Sequence, residues 1–506
     1  MRHHLLLIAL SGLTIAACKP TPRTAITPLK VSPPTVEESP AERPAPGLLN
    51  ITSTRQDFNL TRPWEKQRAN TNNFKGVYLG NRRVLTVGKA AESATYIELS
   101  LPDKTRTVPA RVLKHDPSLN LALITVQHPE DASIFDSLTA HETGAPLALG
   151  SSAELWALVQ GVTPVCTAVS VESTHENGLL PHIEMRASTP LPMDMANGLP
   201  ILQDGRVVAI VNSHARDQQQ LTCTNAELIA RFLDEASGGN DVPVIGAAFT
   251  RLDDPAFRRY LKLAPEQGGI YVSKVLPGGA AQAAGVCEGD VITSVDDMPL
   301  DQLGRCKHPL YGLIPAPLVL RSIKPVGAQI TLGISRNGEQ LSIPVQLNRD
   351  AVDKALMPEE QPGVAPRYIM WGGLLFQPLT KTYLAELKRR ANNSLPLALL
   401  ELDDHLAEYM DEGRSELVGL TIVIPTPATL GYDSLGFCMV KAVNGKVVHS
   451  FDEMAELLDE PTEDGITELS LNRSPYTIYL DRQTVEASND SIRRRIMPQL
   501  RRMEKK

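Results

Sequence analysis

Between positions 72 and 235 the apolar residues fall in short runs, and that rhythm excludes a helical fold. "GVYLG", "RVLTV", "TYIELSL", "ARVLKH", "LALITV", "LWALVQG", "VCTAVSVE", "HIEMRAS" and "VVAIVN" are rich in β-branched residues and separated by turn formers. Many short strands bury their apolar faces only against one another, so a sandwich or a pair of β-barrels is predicted. "NAELIARFLDE" closes the unit as a helix with Leu228, Ile229 and Phe232 along one side.

A chain of 506 residues exceeds one ordinary core and implies about three domains. Its formal charge of -8 gives no basic field for a nucleic-acid partner. At the start, "MRHHLLLIALSGLTIAAC" places Arg2 before an apolar run too short to span a bilayer. Residues 1–17 therefore read as an export signal. "IAAC" resembles the bacterial lipobox, which implies lipidation of Cys18. Lys19, by the same resemblance, favours the outer membrane, with the globular part in the periplasm. Residues 18–61 are dense in proline, which fixes an extended backbone and makes a semi-rigid tether.

Three signatures stand in order within 62–236. "VLTVGKAA" (Val84 to Ala91) resembles the "ILTNAHVV" segment of HtrA/Deg proteases, "LKHDPSLNLALITV" resembles their "DPxxDLAVLKV", and Met195 to Gly205 resembles "NSGGPLLNxxG". The resemblance implies a chymotrypsin-like double β-barrel. Carried over residue by residue, the base falls on Lys89, the carboxylate on Asn120 and the nucleophile on Ala196. Acyl transfer needs a hydroxyl, an imidazole and a carboxylate, and a methyl group attacks nothing. The loop "STPLPMDMANG" also carries Pro190, Pro192, Met193 and Met195 where the family's oxyanion loop has glycines. Ser188 and His182 share a strand face, but six residues of extended chain hold them roughly 20 Å apart, too far for proton transfer. No H-x-x-x-H or C-x-x-C spacing suggests a metal, and no cofactor is expected. Cys166 with Cys223 and Cys287 with Cys306 can be read either as bridges or as buried thiols.

Downstream, "GGIYVSKVLPGGAAQAAGVCEGDVITSVDDMPL" within 244–347 resembles an HtrA/Deg PDZ core. PDZ domains add an extended peptide to a sheet edge and hold its terminal carboxylate at a glycine turn. By resemblance the binding residues are Gly246, Ala247, Ala248 and Phe249, with Ile270 completing an apolar pocket; the competing reading has "RLDDPAFRRYLKL" covering that edge. A linker at 348–366 precedes a PDZ-like unit at 367–500. That unit resembles the second PDZ of plant Deg proteases and their bacterial relatives, which assigns Trp371-Gly372-Gly373 to scaffold. Residues 501–506 read as a basic, solvated tail.

The expected fold is mainly β: a degenerate trypsin-like double barrel followed by two PDZ-like α+β domains. The expected function is a catalytically inactive pseudoprotease, a lipid-anchored scaffold or chaperone-like factor. Its partners are unfolded or C-terminal peptide segments of envelope proteins, bound at the first PDZ domain. The alternative is an active periplasmic serine endopeptidase with displaced catalytic residues. A homo-oligomer built on trimers is expected, with Trp64 and Phe74 as contacts.

Overall fold

The computed structural model describes residues 47–504 apart from 160–161, 177–182, 189–195, 216–218, 235–241, 323, 361–362 and 391–394. The export signal, Cys18 and most of the tether lie outside the described residues, as do His182 and the altered loop from Thr189 to Met195.

Strands β1 (Leu48–Arg55), β2 (Asn70–Tyr78), β3 (Val84–Val87), β4 (Ala94–Ser100), β5 (Thr107–Asp116) and β6 (Leu121–Val126) close a barrel in the order β1-β2-β3-β6-β5-β4. Strands β7 (Ser152–Val159), β8 (Thr163–Glu176), β9 (Ile183–Ser188), β10 (Pro200–Gln203), β11 (Arg206–Ala215) and β12 (Gln220–Asn225) close a second, in the order β10-β11-β12-β9-β8-β7. Leu49, Ile51, Leu85 and Leu121 fill the first barrel, and Leu155, Ile201, Ala209 and Leu221 fill the second. Helix α1 (Ala226–Leu233) buries Leu228, Ile229 and Phe232, the three residues its periodicity singled out. Asn225 caps it, accepting from the backbone N–H of Ala226 and of Leu147. Of the sandwich and the barrel pair that the strand rhythm allowed, the observed fold is the double barrel that the resemblance implied.

The first PDZ domain, PDZ1, comprises β13 (Ala247–Thr250), α2 (Pro255–Tyr260), β14 (Ile270–Val275), α3 (Ala280–Ala283), β15 (Val291–Val295), β16 (Met298–Pro299), β17 (Arg305–His308), β18 (Gly312–Pro315), α4 (Ala316–Ser322), β19 (Gln329–Arg336) and β20 (Glu339–Gln346). Its main sheet runs β13-β14-β15-β19-β20, so β13 is an edge strand. After α5 (Asp350–Asp353) the second domain, PDZ2, contains β21 (Tyr368–Trp371), β22 (Leu374–Pro378), α6 (Lys381–Arg390), α7 (Leu397–Leu400), α8 (Leu406–Asp411) and β23 (Val418–Val423). It continues through β24 (Cys438–Val443), β25 (Lys446–Val447), α9 (Phe451–Asp459), β26 (Ile466–Leu471), β27 (Thr477–Asp481), α10 (Arg482–Arg495) and β28 (Arg501–Arg502). Its sheet runs β27-β26-β24-β23-β22-β21-β28. Read from β22, that order repeats the one in PDZ1 from β13.

Several expectations change once the chain is folded. Trp64 sets its ring edge to face against Tyr368 of PDZ2 at 6.2 Å, and Phe74 is buried in the first barrel. Phe74 is therefore withdrawn from the surface, whereas Trp64 spends part of its ring on this chain's own PDZ2 and stays half-buried. Within the 348–366 linker, Leu356 and Met357 are buried with Leu379, Tyr383 and Leu402. Arg501 and Arg502 pair with β21 rather than forming a solvated tail. Arg501 forms a two-pronged ion pair with Asp459, and Arg502 lies over the rings of Phe58 and Tyr368. Cys287 is exposed and Cys306 buried, and both are thiols, so the bridge between them is not made.

Candidate functional site

The junction between the barrels is built from the turn after β3, the residue before β6, strands β11 and β12, and the turn before β10. β3 runs into a single tight turn, Gly88–Ala90, that leaves Lys89 exposed. The backbone N–H of Lys89 donates to Asn120 Oδ1 at 3.2 Å. Asn120 is buried and has φ +52, a left-handed conformation that Asn tolerates better than most residues. Gly88 permits this approach, because a Cβ there would stand 3.0 Å from the Asn120 carbonyl carbon. Asn120 Nδ2 donates to Asn212 Oδ1 at 3.2 Å, and Asn212 Nδ2 donates to Thr224 Oγ1 at 2.9 Å. Asn120 belongs to the first barrel, Asn212 and Thr224 to the second. Their amide and hydroxyl groups form a buried polar floor that ties the barrels together.

Ala196 is 2% exposed and packs with the core of the second barrel. The chain after it is stitched on both sides: Lys75 N–H donates to the Asn197 carbonyl at 2.9 Å and Gly198 N–H to the Val211 carbonyl at 2.8 Å. Gly198 has φ +91, and a Cβ there would lie 1.9 Å from the Lys75 carbonyl oxygen, so no side chain fits. Lys75 itself is buried with its ammonium on Asn50, and burial draws its pKa below the ordinary lysine value. His115 is likewise lowered by burial. His141 spends Nδ1 on the Gly205 carbonyl at 2.7 Å, which fixes a turn. The fold brings the Lys89 backbone, though not its exposed side chain, to Asn120, and it adds Asn212 and Thr224, which sequence reasoning missed. A polar residue inside each of the apolar strands "VVAIVNSH" and "LTCTN" was the available signal.

In PDZ1, β13 pairs with β14 along one side, and no strand pairs with its outer side among the described residues. Ala248 and Thr250 are exposed, Ala247 and Phe249 half-buried, and Ile270 is a core residue. Phe249 packs on the cluster that holds Leu318, Val319 and Leu320 of α4. The "RLDDPAFRRYLKL" insert does not cover this edge. Its Phe257 meets Tyr271 edge to face at 5.0 Å, and Leu252 and Leu263 cluster with Val291. Tyr271 alternates with the core-facing Ile270 and Val272, so the insert packs on the other face of the sheet.

PDZ2 differs at the corresponding place. β22, the counterpart of β13, is paired with β23 on one side and with β21 on the other, through the turn at Gly372 and Gly373. Trp371 and Phe376 are buried, and Gly372 N–H is taken by Asn489 Oδ1 at 2.8 Å. The slot for an added strand is filled by the chain's own backbone, in keeping with a scaffold role for Trp371-Gly372-Gly373.

Comparison with known proteins bears on both sites. Family models described as PDZ domain match residues 253–306 and 357–499. Protease Do-like 2, chloroplastic, from Arabidopsis thaliana is 25% identical over 428 residues, which is 81% of this chain and 66% of that protein. The chain thus spans just under two thirds of that relative's length. Periplasmic serine endoprotease DegP of Escherichia coli is 24% identical over 280 residues, 53% of this chain and 55% of that protein. Among solved structures, the HtrA-type protease AlgW with decapeptide aligns at a TM-score of 0.44 and 18% identity, covering 61% of this chain and 97% of that one. The chain has a chymotrypsin-like pair of six-stranded barrels followed by two PDZ domains, and it is similar in sequence to plant and bacterial Deg proteases. These relations overturn the expectation of a non-enzymatic pseudoprotease: of the relatives that align with about four fifths of the chain, one is named a protease and the others putative proteases, which favours the peptidase reading.

Proposed function

We propose that the protein is an endopeptidase of the Deg type that acts on extended polypeptide in a bacterial envelope, with PDZ1 as its peptide-capturing domain. The observation that carries the reading is the relation to a named protease across 428 residues, 81% of this chain. The contact of the Lys89 backbone N–H with Asn120, and the polar floor of Asn212 and Thr224 beside it, support the reading by giving the junction between the barrels a fixed arrangement. The attacking hydroxyl is not at position 196, where the side chain is a methyl group. PDZ1 supports peptide capture through the outer side of β13, because main-chain hydrogen bonding there requires no particular ligand sequence. Lipidation of Cys18 would tether the enzyme to the membrane through the proline-rich segment. No helix among the described residues is long and apolar enough to cross a membrane.

The test is incubation of the mature protein with unfolded casein, together with labelling by a fluorophosphonate. Peptide release proportional to enzyme, with one hydroxyl labelled outside position 196, is the expected outcome. Absence of both release and label would remove the reading.

A further inference from the structure

We propose that PDZ1 takes internal extended segments of polypeptide rather than free C-termini, because the end of the slot that would hold a terminal carboxylate is plugged by the chain's own α5. The inference rests on the peptide-capture reading of PDZ1 given above and specifies what that site accepts.

Holding a terminal carboxylate needs backbone N–H groups at a glycine turn that stand open to the ligand. Gly246 makes such a turn, with φ +75, yet Ile245 and Gly246 are both buried. The covering groups are named by the space around the glycine. A Cβ on Gly246 would stand 2.9 Å from Gly279 Cα and 3.2 Å from Ala351 Cβ. The view from Gly279, the residue that caps α3, is the same: 3.0 Å to Gly246 Cα and 3.3 Å to Ala351 Cβ. Two glycine backbones and one methyl group are in contact, and a carboxylate entering there must displace Ala351.

Ala351 is not loosely placed. Just before α5, the Asn348 carbonyl accepts from Val244 N–H at 2.8 Å, and the Arg349 guanidinium donates to the Val242 carbonyl at 2.6 Å. The turn is tied from the PDZ1 side as well. Ala281 N–H donates to the Ile245 carbonyl and Leu276 N–H to the Gly246 carbonyl, each at 2.8 Å. Of the charged groups on α5 and its flanks, Asp350 pairs with Lys354 at 2.9 Å and Asp353 with Arg349 at 3.5 Å, so each cation there already has a carboxylate partner.

Beyond Gly246 the situation reverses, since Ala248 and Thr250 are exposed on an unpaired edge. A strand can be added there, but its end is not gripped. A ligand chain that leaves the slot before the plug and runs on fits these surroundings better than one that stops.

Full mature chain and a fluorescein-labelled decapeptide of alternating Val and Thr provide the test. The peptide is supplied as free acid, as C-terminal amide, and extended at its C-terminus by ten Gly and Ser residues. Anisotropy titrations should give three dissociation constants within about threefold of one another, with β13 amides protected from hydrogen exchange in each complex. A free acid that binds more than about threefold tighter than both others overturns the inference and leaves peptide capture by PDZ1 standing. No saturable binding, or binding without protection of β13, removes the capture reading and the inference with it.

Discussion

Replacing Arg336 by methionine should open PDZ1 without touching its binding edge. Asp290 is fully buried, and its carboxylate takes two bonds from the Arg336 guanidinium, at 2.7 and 2.8 Å, and one from Cys287 N–H at 2.8 Å. Arg336 also donates to the Gly285 carbonyl at 2.8 Å, so the pair fixes the 285–290 loop and, through it, the end of α3. Hydrogen bonding to Asp290 keeps Arg336 protonated at any ordinary pH. Arg336→Met strands the buried Asp290 carboxylate with a single donor beneath a side chain that is itself only partly exposed. Breaking a buried pair from one side costs about 3–5 kcal/mol. Tenfold corresponds to about 1.4 kcal/mol, so β19 amides that exchange through opening of PDZ1 should do so about a hundredfold to a few thousandfold faster. Native-state hydrogen exchange of the full chain, resolved at the peptide covering Gln329–Arg336, reads this directly. Asp290→Leu combined with Arg336→Met should recover most of the loss, because an apolar pair carries no stranded charge. Acceleration below about tenfold for Arg336→Met would refute the reasoning, since it would mean that the Asp290 carboxylate is hydrated after all.

Four further outcomes are expected. Tyr311→Phe should weaken the docking of PDZ1 on the double barrel by about 1.5–3 kcal/mol, because the Tyr311 hydroxyl donates to Glu227 of α1 at 2.5 Å; faster exchange of residues 305–315 would show it. Burial, then Glu227, raises the pKa of Tyr311, so this contribution is complete below a pH of about 10 and is lost as pH climbs toward the raised native value; the Phe variant should lack that alkaline decline. Gly198→Ala places a Cβ 1.9 Å from the Lys75 carbonyl oxygen at a positive φ and should lower the thermal midpoint by more than about 5 °C. Lys75 is depressed by burial, so its cost to the fold grows as pH falls below the ordinary lysine value; Lys75→Met should flatten that dependence between neutral and alkaline pH in thermal melts. Cys18→Ser should move the protein from the membrane to the soluble fraction on cell fractionation.

The sequence made the barrels legible because short β-branched runs leave few ways to be buried, and α1 because Leu228, Ile229 and Phe232 fall on one helical face. Motif order singled out Lys89, Asn120 and Ala196, and the folded chain sets all three near the junction of the two barrels. Asn212 and Thr224 were not legible: a polar residue in a strand looks the same whether it faces water or a second barrel. Trp64 was read as a subunit anchor, but an aromatic ring does not declare which apolar surface it meets, and Tyr368 lies far away in sequence. Leu356 and Met357 were hidden by the proline and acid around them, which resemble a solvated linker until PDZ2 packs on them. Arg501 and Arg502 looked like a charged tail since neither Asp459 nor the open side of β21 is visible from the basic run. The inference from three altered positions to a chain without activity was overturned by relatives along most of its length. The motif positions report which side chains stand there, and the relation to proteases concerns the whole architecture.

Activity on an unfolded substrate tests the central claim most directly. The mature protein, purified with a catalytically unrelated control preparation, is incubated with unfolded casein and then with a fluorophosphonate whose attachment site is mapped by mass spectrometry. The account predicts peptide release that scales with enzyme concentration and stoichiometric labelling of one hydroxyl at a position other than 196. Intact casein, together with an unlabelled protein that is folded by circular dichroism, would contradict it.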